Sequence, residues 1–530
     1  MIDRILENWL DNASERSYQL PFCYLLLQQN KTVLHLTRHN AMEHGKDIIA
    51  VDEEEQLHVY QLKGVKGGKL KLNQWQTMIG QLAQMAITPV THPSVNSDKH
   101  HFSYLVINGE IEEEVSSAIF AYNEDWRSKG MPQYCINTIV RGQILQWASA
   151  VKDQFIPSEF EDFKFLLEFF LDGGEGLLDK SKFTRLVHSI FTTIPDSATA
   201  QKRLISSGAL LCSLALSSYQ ENNNHVALIE GWTIYTAEIL HFATRQTLSR
   251  PSFAHELEIA DIATQNALHD LLEEAQTMNH FFVGSLLEDI FVFRHRTTFV
   301  LGLLAYYGLR LIGNGTDNSR ITDIRTIIEK HQSDMAIWGE GALPYVTAVY
   351  WFWKIIGQPE KGIELPKMTL YMLLQVPKIP TLAFTNYYLS AEETVLLMND
   401  ANTQLEDIRQ AVSTDHVAET VVHLLAINNE KSTLQSFWPD ICDFTYNDFG
   451  FVRTEDVFTW RSEEGTEIIR HQQPTMEWTE FTKVANAVDI ERIPALLQLY
   501  HSFNPLFMMV FAHRFSRNLV IWNEQQLFVR

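Results

Sequence analysis

Four cysteines in 530 residues, at positions 23, 135, 212 and 442, are too few and too far apart for a disulfide framework. No C-x-x-C pair occurs, so zinc ribbons are not expected and a reducing, cytoplasmic location is. Long hydrophobic runs are also missing. The most apolar stretches, Phe299–Ile312 and Leu343–Ile356, fall short of the ~18 residues that suggest a membrane span, and Arg310 and Lys354 interrupt them. Both are expected to be buried helices, with no membrane as partner. Asp3, Arg4, Glu7 and Asp11 break up the first residues, so no secretory leader is expected. There is no G-x-x-x-x-G-K-[ST] phosphate loop, and no nucleotide hydrolysis by this chain is expected. His225, His241, His255 and His280 are scattered, without the His-x-x-x-His spacing of a helix-borne metal site.

Basic residues are scarce as well. The chain has 42 Lys and Arg against 65 Asp and Glu, a net charge of −23. Residues 1–150 hold 13 basic and 17 acidic side chains, and the other 380 hold 29 and 48, so the excess sits mainly in the second part. Such a balance argues against broad coating of nucleic acid. It leaves room for a local basic patch, and Lys63, Lys66, Lys69 and Lys71 form one within nine residues.

What is present is the composition of a soluble globular protein, 45% hydrophobic and 20% charged. The length exceeds one ordinary core, and two to four domains are expected. Met1–Asn12 and Pro21–Gln29 read as helices, with Pro21 at an early, tolerated position. Thr32–Thr37, Asp47–Val51 and Leu57–Lys63 read as strands, the last two separated by the acidic turn Asp52-Glu53-Glu54-Glu55. Asn73–Ala86 is an amphipathic helix whose stripe includes Trp75, a core residue. Tyr104–Ile107 is a strand closed by Asn108-Gly109. A helix from Ile111 to Trp126, a strand at Cys135–Val140 and a helix at Gln143–Val151 follow. This order predicts an α/β domain over residues 1–152, a mixed sheet with helices packed on it.

From about Phe155 the periodicity becomes helical throughout, without a fixed repeat. Two α-helical regions are expected, 153–365 and 366–530, with Pro366–Pro380 as the boundary and a small hairpin over Leu519–Arg530 around Asn523-Glu524. The contiguous Trp351, Phe352 and Trp353 are expected to be buried in a large domain.

The chemistry lies in the pair of strands. Asp47 opens one; Gln61 and Lys63 lie two apart on the next and so point to the same face. A tight connection would let the three meet. Hydrolysis of a phosphodiester needs such a set: a hard cation such as Mg²⁺ (or Mn²⁺) takes oxygen ligands, here the Asp47 carboxylate and the Gln61 amide carbonyl. Lys63 is a compact charge suited to orienting water and stabilising the charge that builds on phosphorus.

This arrangement, Asp47-Ile48-Ile49 followed by Gln61-Leu62-Lys63, resembles the Mrr-like branch of the PD-(D/E)xK nuclease superfamily, in which glutamine replaces the second acidic residue. Gly45 before the aspartate, the helix carrying Trp75 and Gln81, and Val106-Ile107-Asn108-Gly109 extend the resemblance, which covers about residues 1–150. It implies a restriction-endonuclease-like fold and Mg²⁺-dependent endonuclease activity on DNA in prokaryotic restriction or anti-phage defence. The helical part would then recognise a defence partner, form a homo-oligomer or restrain the nuclease. A further carboxylate often completes such metal sites. Glu43 is the first candidate, and Glu7 or Glu15 from the first helices are the alternatives. Lys66, Lys69 and Lys71 are candidate phosphate contacts or a solvated charged turn, and His44 is a loop residue. Two other readings stay open: a degenerate nuclease fold acting as an interaction protein, and an RNase.

Overall fold

The computed structural model describes residues 2–36, 45–65, 68–90, 100–157, 159–192, 194–195, 197–277, 290–315, 318–335, 340–375, 417–443, 445–451, 453–459, 466–511 and 516–528. These form two compact units, one of residues 1–239 with 248–264 and one of residues 240–247 with 265–530.

The first unit opens with helices α1 (Ile2–Asn12) and α2 (Glu15–Gln28). Strands β1 (Thr32–Leu36), β2 (Ile48–Val51) and β3 (Leu57–Lys63) then form an antiparallel meander. Asp52 shapes the turn between β2 and β3: its carboxylate accepts the N–H groups of Glu54 and Gln56 at 3.1 and 2.9 Å. After the short β4 (Lys69–Leu70) and α3 (Leu72–Ile87), β5 (His101–Ile107) returns parallel to β3. The sequence β6 (Glu110–Ile111), α4 (Glu113–Ser128) and β7 (Ile136–Ile139) adds a second parallel crossover. The result is a mixed five-stranded sheet in the order β1-β2-β3-β5-β7, as the strand and helix order predicts. A minor ladder pairs β4 with β6.

β3 is central, and all of it but Lys63 is buried. Leu57 and Val59 face a core with Trp75, Leu82 and Met85 of α3 and Val115 and Ile119 of α4. Full burial of a side chain such as Leu82 contributes ~2 kcal/mol. On the other face Tyr60 packs edge-on against Phe22 of α2 at 5.5 Å. Phe22 in turn stacks on Trp147 of α5 (Arg141–Phe155). Six helices follow: α6 (Phe160–Leu171), α7 (Lys180–Ile190), α8 (Ala198–Ala215), α9 (Ser217–Glu221), α10 (His225–Arg245) and α11 (Ala254–Thr277).

The second unit is mostly helical. It holds α12 (Ile290–Gly313), α13 (Asn318–His331), α14 (Leu343–Ile355), α15 (Pro359–Gln375), α16 (Ala418–Ile427) and α17 (Lys431–Asp443). An antiparallel hairpin of β8 (Tyr446–Phe451) and β9 (Thr466–His471) interrupts the helices and was not expected from the sequence. After it come α18 (Trp478–Asn486), α19 (Ala495–Leu499), α20 (Asn504–Val510) and α21 (Arg517–Phe528). Trp351, Phe352 and Trp353 are fully buried, as expected. No helix among the described residues is long and apolar enough to cross a membrane.

Two local expectations are corrected. Pro21 lies in the middle of α2, because a reciprocal Ser14–Ser17 cap starts that helix at Glu15. The terminal hairpin is instead helix α21, whose Leu519–Glu524 are all buried. Glu524 accepts hydrogen bonds from Tyr350 Oη (2.7 Å) and Trp351 Nε1 (2.6 Å) and pairs with Lys354, so its carboxylate anchors a core helix.

Candidate active site

Asp47 sits one residue before β2, and its N–H donates to the Tyr60 carbonyl on β3 at 2.9 Å. Continuing the Ile48–Tyr60 register by one step sets Asp47 opposite Gln61. The Asp47 carboxylate, buried with 8% exposure, accepts the Leu62 N–H at 2.7 Å. Leu62 is the residue between Gln61 and Lys63, so the acid is planted on the backbone of the second half-motif.

Gln61 is 6% exposed, and among the described residues its Oε1 has no hydrogen-bond partner. An unsatisfied buried carbonyl costs about 1–3 kcal/mol, so this atom calls for a ligand. Its surroundings are tight. Gly45 has φ +75°, and a Cβ built there would lie 3.2 Å from Gln61 Oε1 and 3.0 Å from Cγ of Gln81 on α3. The backbone angle favours glycine, and a side chain there would push the Gln61 and Gln81 side chains aside by a few tenths of an ångström.

Lys63 closes β3. By alternation it shares the face of Leu57, Val59 and Gln61. Its side chain is 41% exposed, and its ammonium lies 3.7 Å from Glu15 Oε2 at the start of α2. At that exposure the pair is worth at most ~1 kcal/mol, so it positions more than it stabilises. The backbone of Lys63 is held harder. The buried hydroxyl of Tyr18 accepts the Lys63 N–H at 3.0 Å and lies 3.1 Å from the carbonyls of Lys63 and Val106. Burial, the main cause, keeps the Tyr18 phenol well above its ordinary pKa, hence a neutral donor.

Asn108, fully buried at the end of β5, ties the helices to the site. Its Oδ1 accepts the Val65 N–H at 2.8 Å, and its Nδ2 donates to the carbonyls of Leu10 (3.0 Å) and Ala13 (2.8 Å). A Cβ on the next residue, Gly109, would stand 2.3 Å from the Gly68 carbonyl oxygen. The Asn108-Gly109 pair thus lets two loops meet beside Lys63. Lys46, next to the acid, is 5% exposed, and desolvation lowers its pKa to about 8.

No protein-family model, curated protein or solved structure matches the chain. The geometry stands alone.

Of the residues expected at the site, Asp47 stands opposite Gln61 in the β2–β3 register and its carboxylate takes the Leu62 N–H, while Lys63, two residues beyond Gln61 on the same face of β3, directs its ammonium to Glu15. Lys69 and Lys71 are exposed, on β4 and at the N-cap of α3. Glu43, His44 and Lys66 lie outside the described residues. Among the alternative carboxylates Glu15 is at the site and Glu7 is exposed on α1. Tyr18 and Asn108 were missed as site residues. Asn108 was legible only as the end of a strand, because its partners lie more than forty residues away in sequence.

The donor set is oxygen: a carboxylate and an orphaned amide carbonyl. That chemistry fits a hard divalent cation such as Mg²⁺ or Mn²⁺.

Proposed function

We propose that the first unit is a metal-dependent nuclease that cleaves DNA phosphodiesters, of the PD-(D/E)xK kind that its two half-motifs resemble. One observation carries the reading. The Asp47 carboxylate is fixed to the backbone between Gln61 and Lys63, opposite Gln61, whose buried side-chain oxygen has no hydrogen-bond partner among the described residues. The mixed sheet supports it: Asp47 precedes β2 and stands opposite Gln61 across the antiparallel β2–β3 pair, and Lys63 closes β3.

Asp47 and Gln61 would hold the ion. When bound, Mg²⁺ polarises the phosphate and makes its water a stronger acid. Asp47 supplies the negative charge and Gln61 a neutral carbonyl, so the pair binds a cation without the repulsion of two adjacent carboxylates. Lys63 keeps its ammonium at the half-exposed rim, where it can meet a phosphate and orient the attacking water. Glu15 steadies that ammonium, and it and Glu43 are the candidates for a further carboxylate. Lys69 and Lys71, with Lys66, would contact the DNA backbone.

In the same reading the protein acts in the cytoplasm of a prokaryote as a restriction or anti-phage effector. Its acidic, mostly helical region after residue 152 recognises a partner, self-associates or restrains the nuclease. The full chain incubated with labelled duplex DNA and with labelled RNA, in Mg²⁺ or Mn²⁺, tests the substrate. Cleavage of DNA that is lost in Asp47→Ala and Lys63→Ala supports the reading. Cleavage confined to RNA makes the protein an RNase. Equal cutting by wild type and both variants, or none by any, leaves a binding fold.

A further inference from the structure

We propose that one side of α6 is the self-interface of a twofold homodimer, with a second copy of this chain as its partner. This selects self-association among the roles proposed for the region after residue 152, and it does not depend on the cleavage chemistry.

α6 buries one side and leaves another bare. Asp162, Leu166 and Phe169 are buried. At 3.6 residues per turn, Phe160, Lys164, Leu167 and Leu171 fall on one stripe along a different side. Phe160 is 80% exposed and Leu171 78%. Phe163 and Phe170 flank the stripe and are half-buried. A nearby ring shows the contrast. Phe165 is covered by the Lys182 ammonium at 5.8 Å and the Arg185 guanidinium at 5.2 Å. Contiguous apolar surface with a charged rim, left open in this way, marks an interaction site.

The two ends of the stripe differ in shape. At the start of α6, Phe160 stands out as a knob. At the other end Leu167, Leu171 and Leu177, with Lys164, Asp179 and Lys182, line a groove of about 420 Å³. Leu177 is itself 54% exposed. A knob and a groove at opposite ends of one stripe fit a second copy turned about a twofold axis through the middle of α6. Two antiparallel α6 helices then seat each Phe160 in the other copy's groove, and the contact closes on itself.

The charges obey the same symmetry. Lys164 and Glu168 are one turn apart, on either side of residue 166, and lie 3.5 Å from each other at the surface. The axis that seats Phe160 sets Lys164 of one copy opposite Glu168 of the other, so the opposite-charge contact forms twice. A stable dimer needs roughly 800 Å² from each partner. Leu177 and the Lys182 flank of the groove therefore join α6 in the contact.

Sedimentation of the full chain across the micromolar range tests this. A monomer–dimer equilibrium is expected. Phe160→Asp should weaken it on the order of 100-fold or more, because the symmetry removes two buried rings at once. Lys164→Glu and Glu168→Lys should each weaken their own dimer at low salt by setting like charges opposite. Mixed in equal amounts, these two variants should pair with each other, since every contact in the mixed dimer is then between opposite charges. Phe160 and Lys164 are exposed, so their variants should fold, which circular dichroism checks. The readout is mass and not cleavage, so its failure leaves the nuclease reading standing. A wild type that stays monomeric, its α6 face then serving some other partner, overturns the proposal. So does a dimer indifferent to Phe160→Asp, or charge variants that pair no better mixed than alone.

Discussion

The hydroxyl of Tyr18 holds Lys63 by its backbone, 3.0 Å from the N–H and 3.1 Å from the carbonyl. A helix residue thereby fixes the end of the strand that carries the proposed catalytic lysine. Tyr18→Phe leaves the Lys63 N–H buried without that acceptor and should cost about 1–3 kcal/mol, read as a lower urea midpoint. Cleavage should fall further than the folded fraction does, because Lys63 loses its anchor.

Gly45→Ala tests the room around Gln61. The new methyl meets Gln61 Oε1 at 3.2 Å, from a backbone at φ +75°. The left-handed angle alone costs roughly 1–2 kcal/mol. The amide must also move, so Mn²⁺ affinity is expected to drop while the sheet stays folded. Unchanged Mn²⁺ affinity would separate Gln61 from the metal.

Lys46 gives a pH signature. Desolvation lowers its pKa in the folded chain to about 8, from the ordinary value of 10.5. Between those values the unfolded chain binds more protons, so stability rises with pH across that window. Below pH 8 both states are charged and the cost of burying the ammonium is fully present. The rise is at most roughly 3 kcal/mol, at 1.36 kcal/mol per pH unit. Denaturant titrations from pH 7 to 10.5 should show it in the wild type and lose it in Lys46→Met.

Glu524→Ala removes the carboxylate that Tyr350, Trp351 and Lys354 share. Breaking a buried ion pair of this kind costs about 3–5 kcal/mol. A large fall in the melting temperature of the second unit is expected. Glu524→Gln should recover part of it by keeping hydrogen bonds to Tyr350 and Trp351.

The sequence is most legible where local pattern and burial agree. β3 runs over the expected Leu57–Lys63, because a turn closes one end and β-prone residues fill it. α3 is found within a residue of its bounds, because its apolar stripe matches its buried face. Local pattern misleads at α21, where Asn523-Glu524 reads as a turn but Glu524 is a buried anchor. It misleads at α2 too, because Ser14 and Ser17 cap each other with hydroxyls where a glutamate is the usual signal. At the candidate site, strand alternation was enough to put Gln61 and Lys63 on one face of β3, with Asp47 across from Gln61 on the neighbouring strand. Tyr18, Glu15 and Asn108 reach it through contacts between distant segments, which no local pattern encodes.

The most direct measurement is the single-turnover rate of plasmid nicking in Mg²⁺ by the wild type, Asp47→Ala, Gln61→Ala and Lys63→Ala, each shown to be folded. Asp47→Ala should abolish nicking, and Lys63→Ala should slow it by about 10²–10³-fold, as losing a group that stabilises transition-state charge does. Gln61→Ala should slow it with partial rescue at high metal. Nicking at wild-type rate in a folded Asp47→Ala or Lys63→Ala contradicts the account.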